Sequence, residues 1–257
     1  MVKRNAHPRR WLSPVFFTAL IILWQVLYQL QLWPVYLFPS PADVISTLLN
    51  GVSNGTILQG VGASLWRLLI GYMISLAIGI PLGFASGRIK RFDQTVGKLL
   101  LGLQTLPSIC WLPLALLWFG LNERAIVFVV VMGAVLSIAL SARDGVQRVS
   151  PLYLRAATNM GVKGWNLHAR VIFPASLPSI VTGMKLGWSF AWRSLMAGEL
   201  LYGNTGLGQL LMMGRELNDM SQVIAIMLVI VLLGVLTDRI VFAPVERRMH
   251  ERWGLGQ

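Results

Sequence analysis

The feature that most constrains this chain is a succession of apolar runs, each about as long as a helix that crosses a lipid bilayer. At 1.5 Å per residue, roughly 20 mainly apolar residues cover the hydrocarbon core. The runs lie at 13–33, 68–86, 99–119, 125–142, 176–201 and 220–241. Charged residues make up only 12% of the 257-residue chain, about half the share of an ordinary soluble domain. The expected fold is therefore all-α: a single, polytopic membrane domain over residues 1–257, with about six transmembrane helices.

The net charge of +12 would suggest nucleic acid if the basic residues formed one soluble patch. They instead punctuate the apolar runs. With the N-terminus in the cytoplasm, most of the 22 Lys and Arg residues fall inside, at Lys3 to Arg10, Arg88 to Lys98, Arg143 to Arg170 and Arg239 to Arg252. The expected external loops hold only Arg67, Arg124 and Arg215. This bias predicts cytoplasmic N- and C-termini, and the basic composition reports topology rather than a nucleic-acid partner. Lys3, Arg4, Arg9 and Arg10 ahead of the first run resemble the charged start of a signal peptide. That run is too long for a signal core and no small-x-small cleavage pattern follows, so it is read as a retained first helix. The single cysteine, Cys110, forms no intrachain disulfide, and His7, His168 and His250 have no second ligand at metal spacing.

Three segments carry more specific signals. After the first run, Ser40-Pro41-Ala42-Asp43 has the pattern of a capping box with proline at the first helical position, predicting a short amphipathic helix. In the third run Pro107 and Pro113 each remove a helix hydrogen bond and are expected to bend or break it. The longest loop expected inside, 143–174, contains Arg155-Ala156-Ala157-Thr158-Asn159-Met160-Gly161 and, nine residues later, Val171-Ile172-Phe173-Pro174. Small alanines permit close approach to another surface and Gly161 suits a helix end. The reading is a helix, a tight turn and a second short helix around Gly164 to Arg170, with Pro174 and Pro178 opening the fifth run.

Ionisable groups at membrane depth usually face a bundle interior or water. On the fifth run Lys185, Ser189, Trp192, Met196 and Glu199 fall near one line of a helix, with Arg193 to one side. These residues, with Pro107, Ser108 and Trp111 of the third run, are the candidate substrate pathway. Arg193, with Lys185, would make a cavity electropositive enough for a small anion. The bland alternatives are snorkelling of Lys185 and Glu199 to the interfaces and pairing of Arg193 with a neighbouring helix.

The 143–174 loop resembles the cytoplasmic signature of the permease subunits of type I ABC importers, Glu-Ala-Ala, three residues, Gly, nine residues, Ile-x-Leu-Pro. Ala156, Ala157, Gly161 and Pro174 match, Val171 and Phe173 are apolar substitutes, and Arg155 departs from the usual Glu. Phe38-Pro39-Ser40-Pro41, Trp66-Arg67, Leu117-Trp118-Phe119-Gly120, Gly198-Glu199 and Gly206-Leu207-Gly208 extend the likeness to the branch that imports nitrate, taurine and aliphatic sulfonates. The resemblance implies an ATPase-coupling element formed by Arg155, Ala156, Ala157, Gly161, Val162, Lys163, Gly164 and Pro174. It further implies a homodimer in the bacterial inner membrane, two cytoplasmic ATPase subunits that bind ATP and Mg, and an external solute-binding protein. The chain itself would be a transport subunit without cofactor or catalytic residue: it has no Gly-x-x-x-x-Gly-Lys-Ser/Thr phosphate loop. Its cargo would be a small anion such as a sulfonate, taurine, nitrate or bicarbonate. The competing reading is an ion-gradient-driven secondary transporter or channel, which wants an embedded acid at midplane.

Overall fold

The structure is a computed structural model that describes residues 12–34 and 36–253; the expected cytoplasmic cluster Lys3, Arg4, Arg9 and Arg10 lies outside the described residues. Among these the chain is helical throughout, with no strand. The elements are α1 (Leu12–Gln29), α2 (Pro41–Ser53), α3 (Thr56–Arg88), α4 (Lys90–Gln104), α5 (Ser108–Phe119), α6 (Glu123–Gln147), α7 (Pro151–Asn159), α8 (Phe173–Tyr202), α9 (Leu207–Glu216), α10 (Met220–Thr237) and α11 (Ala243–Trp253). Chain contacts divide it into two compact units, Met1–Leu58 with Leu210–Val229, and Gln59–Gln209 with Ile230–Gln257.

Among the described residues three helices are long and apolar enough to cross a membrane: α3 (33 residues), α6 (25 residues) and the continuous helix Met220–Met249. A fourth crossing is available if α4 and α5, bent by 104° at their junction, form one broken span. The expected run at 13–33 falls on the shorter apolar α1, and the run at 176–201 on α8, whose Lys185, Arg193 and Glu199 lower its apolar character.

Within the first unit, α2 begins as its sequence requires. Ser40 Oγ accepts from Asp43 N at 3.1 Å, the Asp43 carboxylate accepts from Ser40 N at 3.1 Å, and Pro41 occupies the first turn, where its missing N–H costs nothing. The indole of Trp24 donates to Pro39 O at 3.1 Å and ties α1 to this start.

In the second unit α6 is the central element. Residues Ala134 to Ala139 are buried in unbroken succession, so every face of its middle is covered. Leu68 and Tyr72 of α3, Ile126, Val130, Ala134 and Ile138 of α6, and Ala191 and Leu195 of α8 form one buried cluster. A second cluster sets Leu100 of α4 against Val135, Leu136 and Ala139. A third sets Leu112 and Ala115 of α5 against Ala125 and Val129.

Close approach of α3 to α6 follows from a ladder of small residues spaced by four, Gly71, Ser75, Gly79, Gly83 and Gly87. Residues at i and i+4 share a helix face, and in lipid such small residues replace the hydrophobic effect as the basis of packing. A Cβ at Gly79 would sit 2.9 Å from Val135 O and 3.0 Å from Ile138 Cγ2, so the helices meet backbone to backbone.

Two expectations are corrected here. Arg67, placed by its sequence context in an external loop, lies inside α3, which begins at Thr56 with Asn54 Oδ1 accepting from Thr56 N at 3.0 Å. Pro113 does not break the third run: it occupies the first turn of the helical stretch Leu112–Phe119, and the bend falls between Gln104 and Ser108, at Pro107.

Candidate coupling turn and intramembrane polar site

The end of α7 is built by a glycine. Gly161 has φ +83°, its N–H donates to Thr158 O at 3.0 Å, and Val162 N donates to Ala157 O at 3.0 Å. These are the paired bonds of a Schellman motif with Gly161 in its left-handed position. A Cβ at Gly161 would meet nothing within 4 Å, so the demand for glycine is conformational. At the other end Ser150 caps α7, accepting from Leu152 N at 3.3 Å. Ala157 is turned inward at 8% exposure, whereas Arg155, Ala156 and Lys163 are exposed and Met160 stands 84% exposed.

After Gly164, also at positive φ, the chain does not form a separate second helix as expected. Trp165–Leu167 runs through a π-helical turn, His168–Ile172, directly into α8, and Pro174 lies in the first turn of the α-helical part. The turn at Gly161–Gly164 is thus joined to α8 by unbroken helix. His168 Nδ1 lies 2.8 Å from Gly164 O and its Nε2 lies 3.0 Å from Arg88 Nε. Arg88 donates there, so Nε2 accepts and Nδ1 carries the proton that Gly164 O receives.

Three motifs that are separate in the sequence meet at the other end of the same unit. Glu199 of α8 is 1% exposed and Arg67 of α3 is 3% exposed. Arg67 Nη1 donates to Glu199 Oε1 at 2.9 Å and also to Thr205 O; Nη2 donates to Glu123 Oε1 at 2.7 Å and to Thr205 Oγ1 at 3.1 Å. Ser64 Oγ lies 2.9 and 2.7 Å from the two Glu199 oxygens and accepts from Leu207 N at 2.9 Å, while Gly208 N donates to Glu199 Oε2 at 2.9 Å. Gly206 has φ +140°, and a Cβ there would lie 2.5–2.6 Å from the carboxylate. The Gly206-Leu207-Gly208 loop therefore wraps the Glu199 carboxylate, and Trp66-Arg67, Gly198-Glu199 and this loop form one knot. Burying two charges away from water is offset only when each remaining lone pair and proton finds a partner. Here each carboxylate oxygen has its own donor, Arg67 Nη1 or Gly208 N, and the single Ser64 hydroxyl proton lies within reach of both; Arg67 Nε lacks a partner among the described residues.

The candidate pathway residues are dispersed. Lys185 is paired with Asp238 at 2.7 Å and Glu246 at 3.2 Å. Glu199 belongs to Arg67 and Ser64, not to Arg193. Ser189 Oγ donates to its own helix at Lys185 O, 3.2 Å away, and Met196 packs against the main buried cluster. Trp192 packs there too, with an indole N–H that is buried and has no partner among the described residues. Arg193 is exposed, makes no ion pair among the described residues, and lies 5.4 Å from the centre of the Phe190 ring. At the bend, Pro107 is exposed, Ser108 and Trp111 are half-buried in a 3-10 turn, and Trp111 meets Phe128 edge to face at 6.5 Å. Beside the bend Gln104 Nε2 donates to Ser137 Oγ at 3.1 Å, a polar bridge that apolar-run reading overlooks.

Apolar helices of bilayer length, a buried polar knot joining α3, α6 and α8, and an exposed turn running by unbroken helix into α8 describe a multi-pass membrane protein. The family model described as binding-protein-dependent transport system inner membrane component matches residues 79–250, and the chain belongs to that family. It is 34% identical to a putative ABC transporter permease protein of Methanocaldococcus jannaschii, over 85% of this chain and 84% of that one. It is 27% identical to a putative aliphatic sulfonates transport permease protein of Bacillus subtilis, over 90% of this chain and 84% of that one. An inward-facing structure of the MetNI methionine ABC transporter superposes with a TM-score of 0.64 at 17% identity, covering 76% of this chain and 96% of that chain. The fold is that of type I ABC importer permeases, and the chain is a transport subunit whose ATPase is a separate subunit.

Proposed function

We propose that this chain forms, as a homodimer, the membrane-spanning core of an importer that moves a small organic or inorganic anion by alternating access. Two cytoplasmic ATPase subunits, which bind ATP and Mg, grip the turn at Arg155 to Gly164, and an external binding protein delivers the cargo. Both termini lie in the cytoplasm, a placement supported by the distribution of basic residues. The observation that carries the reading is the Schellman turn at Gly161: an exposed, hydrogen-bonded knob that only Val162 to Gly164 separate from the helix running through His168–Ile172 into α8, so that movement imposed on it is passed to a long helix.

A sulfonate-type cargo is supported by the relative named for aliphatic sulfonates and by the charge inventory of α8. Because Lys185 is neutralised by Asp238 and Glu246, Arg193 is left as the cation on this helix able to attract an anion. A gradient-driven transporter is less well supported, since Glu199, the acid such a mechanism would use, is held by Arg67, Ser64 and Gly208 N. Reconstituted permease, ATPase and binding protein should take up a radiolabelled alkanesulfonate only with ATP inside the coupled compartment. Uptake by the permease alone, driven by an ion gradient, would refute the proposal.

A further inference from the structure

Beside the last two turns of α3 lies an open pocket of about 630 Å3. Its walls are Ile80, Pro81, Phe84 and Ala85 of α3 with Ala169 of the π-helical turn and Phe173, the first residue of α8, and almost all of their surface is apolar. At its mouth stand Arg88, His168 and Trp165. Trp165 is 81% exposed and lies nearly parallel to the His168 ring, 6.4 Å away. Arg88 is exposed and hydrogen-bonded through Nε to His168 Nε2; among the described residues it makes no ion pair, and its two terminal nitrogens make no hydrogen bond. Lys90, Arg91 and Arg170 are exposed at this same end, and the nearest acid in sequence, Asp93, is taken by Arg143.

We infer that this pocket binds one acidic phospholipid from the cytoplasmic leaflet, its phosphate on Arg88 and an acyl chain along Pro81, Phe84 and Phe173. The inference rests on the orientation proposed above, which puts the C-terminal end of α3 at the cytoplasmic surface. Depth and charge both fit a lipid. Seven residues of helix separate Arg88 from Pro81, about 10 Å along the axis, so a cation at headgroup level places the apolar wall at the level of the first acyl carbons. Cations outside the cytoplasmic end of a span meet the anionic leaflet, and Trp at the mouth is the side chain suited to that boundary. A phospholipid supplies both the phosphate for Arg88 and one chain for the apolar wall.

The test uses the assembled permease–ATPase complex in detergent, exchanged with equal amounts of phosphatidylglycerol and phosphatidylcholine and weighed by native mass spectrometry. Wild type should retain phosphatidylglycerol in preference, by about fivefold for each interfacial cation engaged. Arg88→Gln should bring its retention down to that of phosphatidylcholine. Ala169→Phe, an exposed position that fills the pocket, should lower retention of both lipids. Equal retention of the two lipids by wild type, or unchanged retention in both variants, overturns the inference. So does loss of the ATPase from the Ala169→Phe complex with lipid retention intact, which would assign the face to a protein. Failure here leaves ATP-driven uptake by wild type untouched, whereas failure of the importer reading would abolish that uptake and leave lipid retention measurable.

Discussion

Removing Glu199 should unfold this protein far more readily than removing any exposed charge. Glu199→Ala leaves the buried Arg67 with Glu123, whose side chain is 68% exposed, and with Thr205, and it strips Ser64 Oγ and Gly208 N of their acceptor. Breaking one partner out of a buried pair costs about 3–5 kcal/mol. For a chain of this size that corresponds to a fall of about 10 °C in the apparent Tm. Glu199→Gln keeps the shape but aims amide hydrogens at donors, so it should lose most of the same stability. The double variant Arg67→Met with Glu199→Leu replaces the pair by apolar groups and should cost less than the sum of the single changes, by about 2 kcal/mol. The assay is the fraction of detergent-solubilised protein that remains monodisperse after heating. A shift under about 2 °C for Glu199→Ala, or strict additivity in the cycle, would refute the view of the knot as a coupled unit.

Other expectations are as direct. Gly161→Ala places a Cβ in the left-handed region at a cost of about 1–2 kcal/mol, and ATP-coupled uptake should fall several-fold, with Gly161→Asn recovering most of it because Asn tolerates that region; equal activity of the alanine variant would show that the turn is not required. Gly79→Leu should prevent α3 from seating on α6 and lower the yield of folded protein sharply, while Gly62→Ala, which meets nothing within 4 Å, should leave it unchanged. Arg193→Gln should cut anion uptake with assembly intact, and undiminished uptake at full expression would remove Arg193 from the pathway.

The elements whose cause is local were legible in the sequence. Ser40, Pro41 and Asp43 dictate the start of α2 by themselves, Pro107 marks the bend, and Gly161 ends α7, because each acts on backbone groups within five residues of it. What depends on distant partners was not legible. The glycine-rich stretch from Gly55 to Gly62 hid the start of α3, and with it the fact that Arg67 is buried. Glu199 looked like a residue of a polar helix face because helical angles alone do not reveal that Ser64, 135 residues away, points at it. Lys185 likewise has partners some 50 to 60 residues downstream. The ladder from Gly71 to Gly87 was present in the sequence, yet a search for apolar length averages it into the run. Scanning each span for small residues every fourth position would have found the α3–α6 contact.

The central claim is that the turn at Gly161 is held by an ATPase inside the cell. Met160, at the exposed tip, is the place to probe it. Cys110, the natural thiol, is exposed and is first replaced by serine. A short thiol crosslinker on Met160→Cys should then trap the ATPase subunit in membranes holding the intact complex, and a membrane-impermeant maleimide should fail to label this position in whole cells. Absence of any ATPase adduct, or ready labelling from outside, would contradict the account.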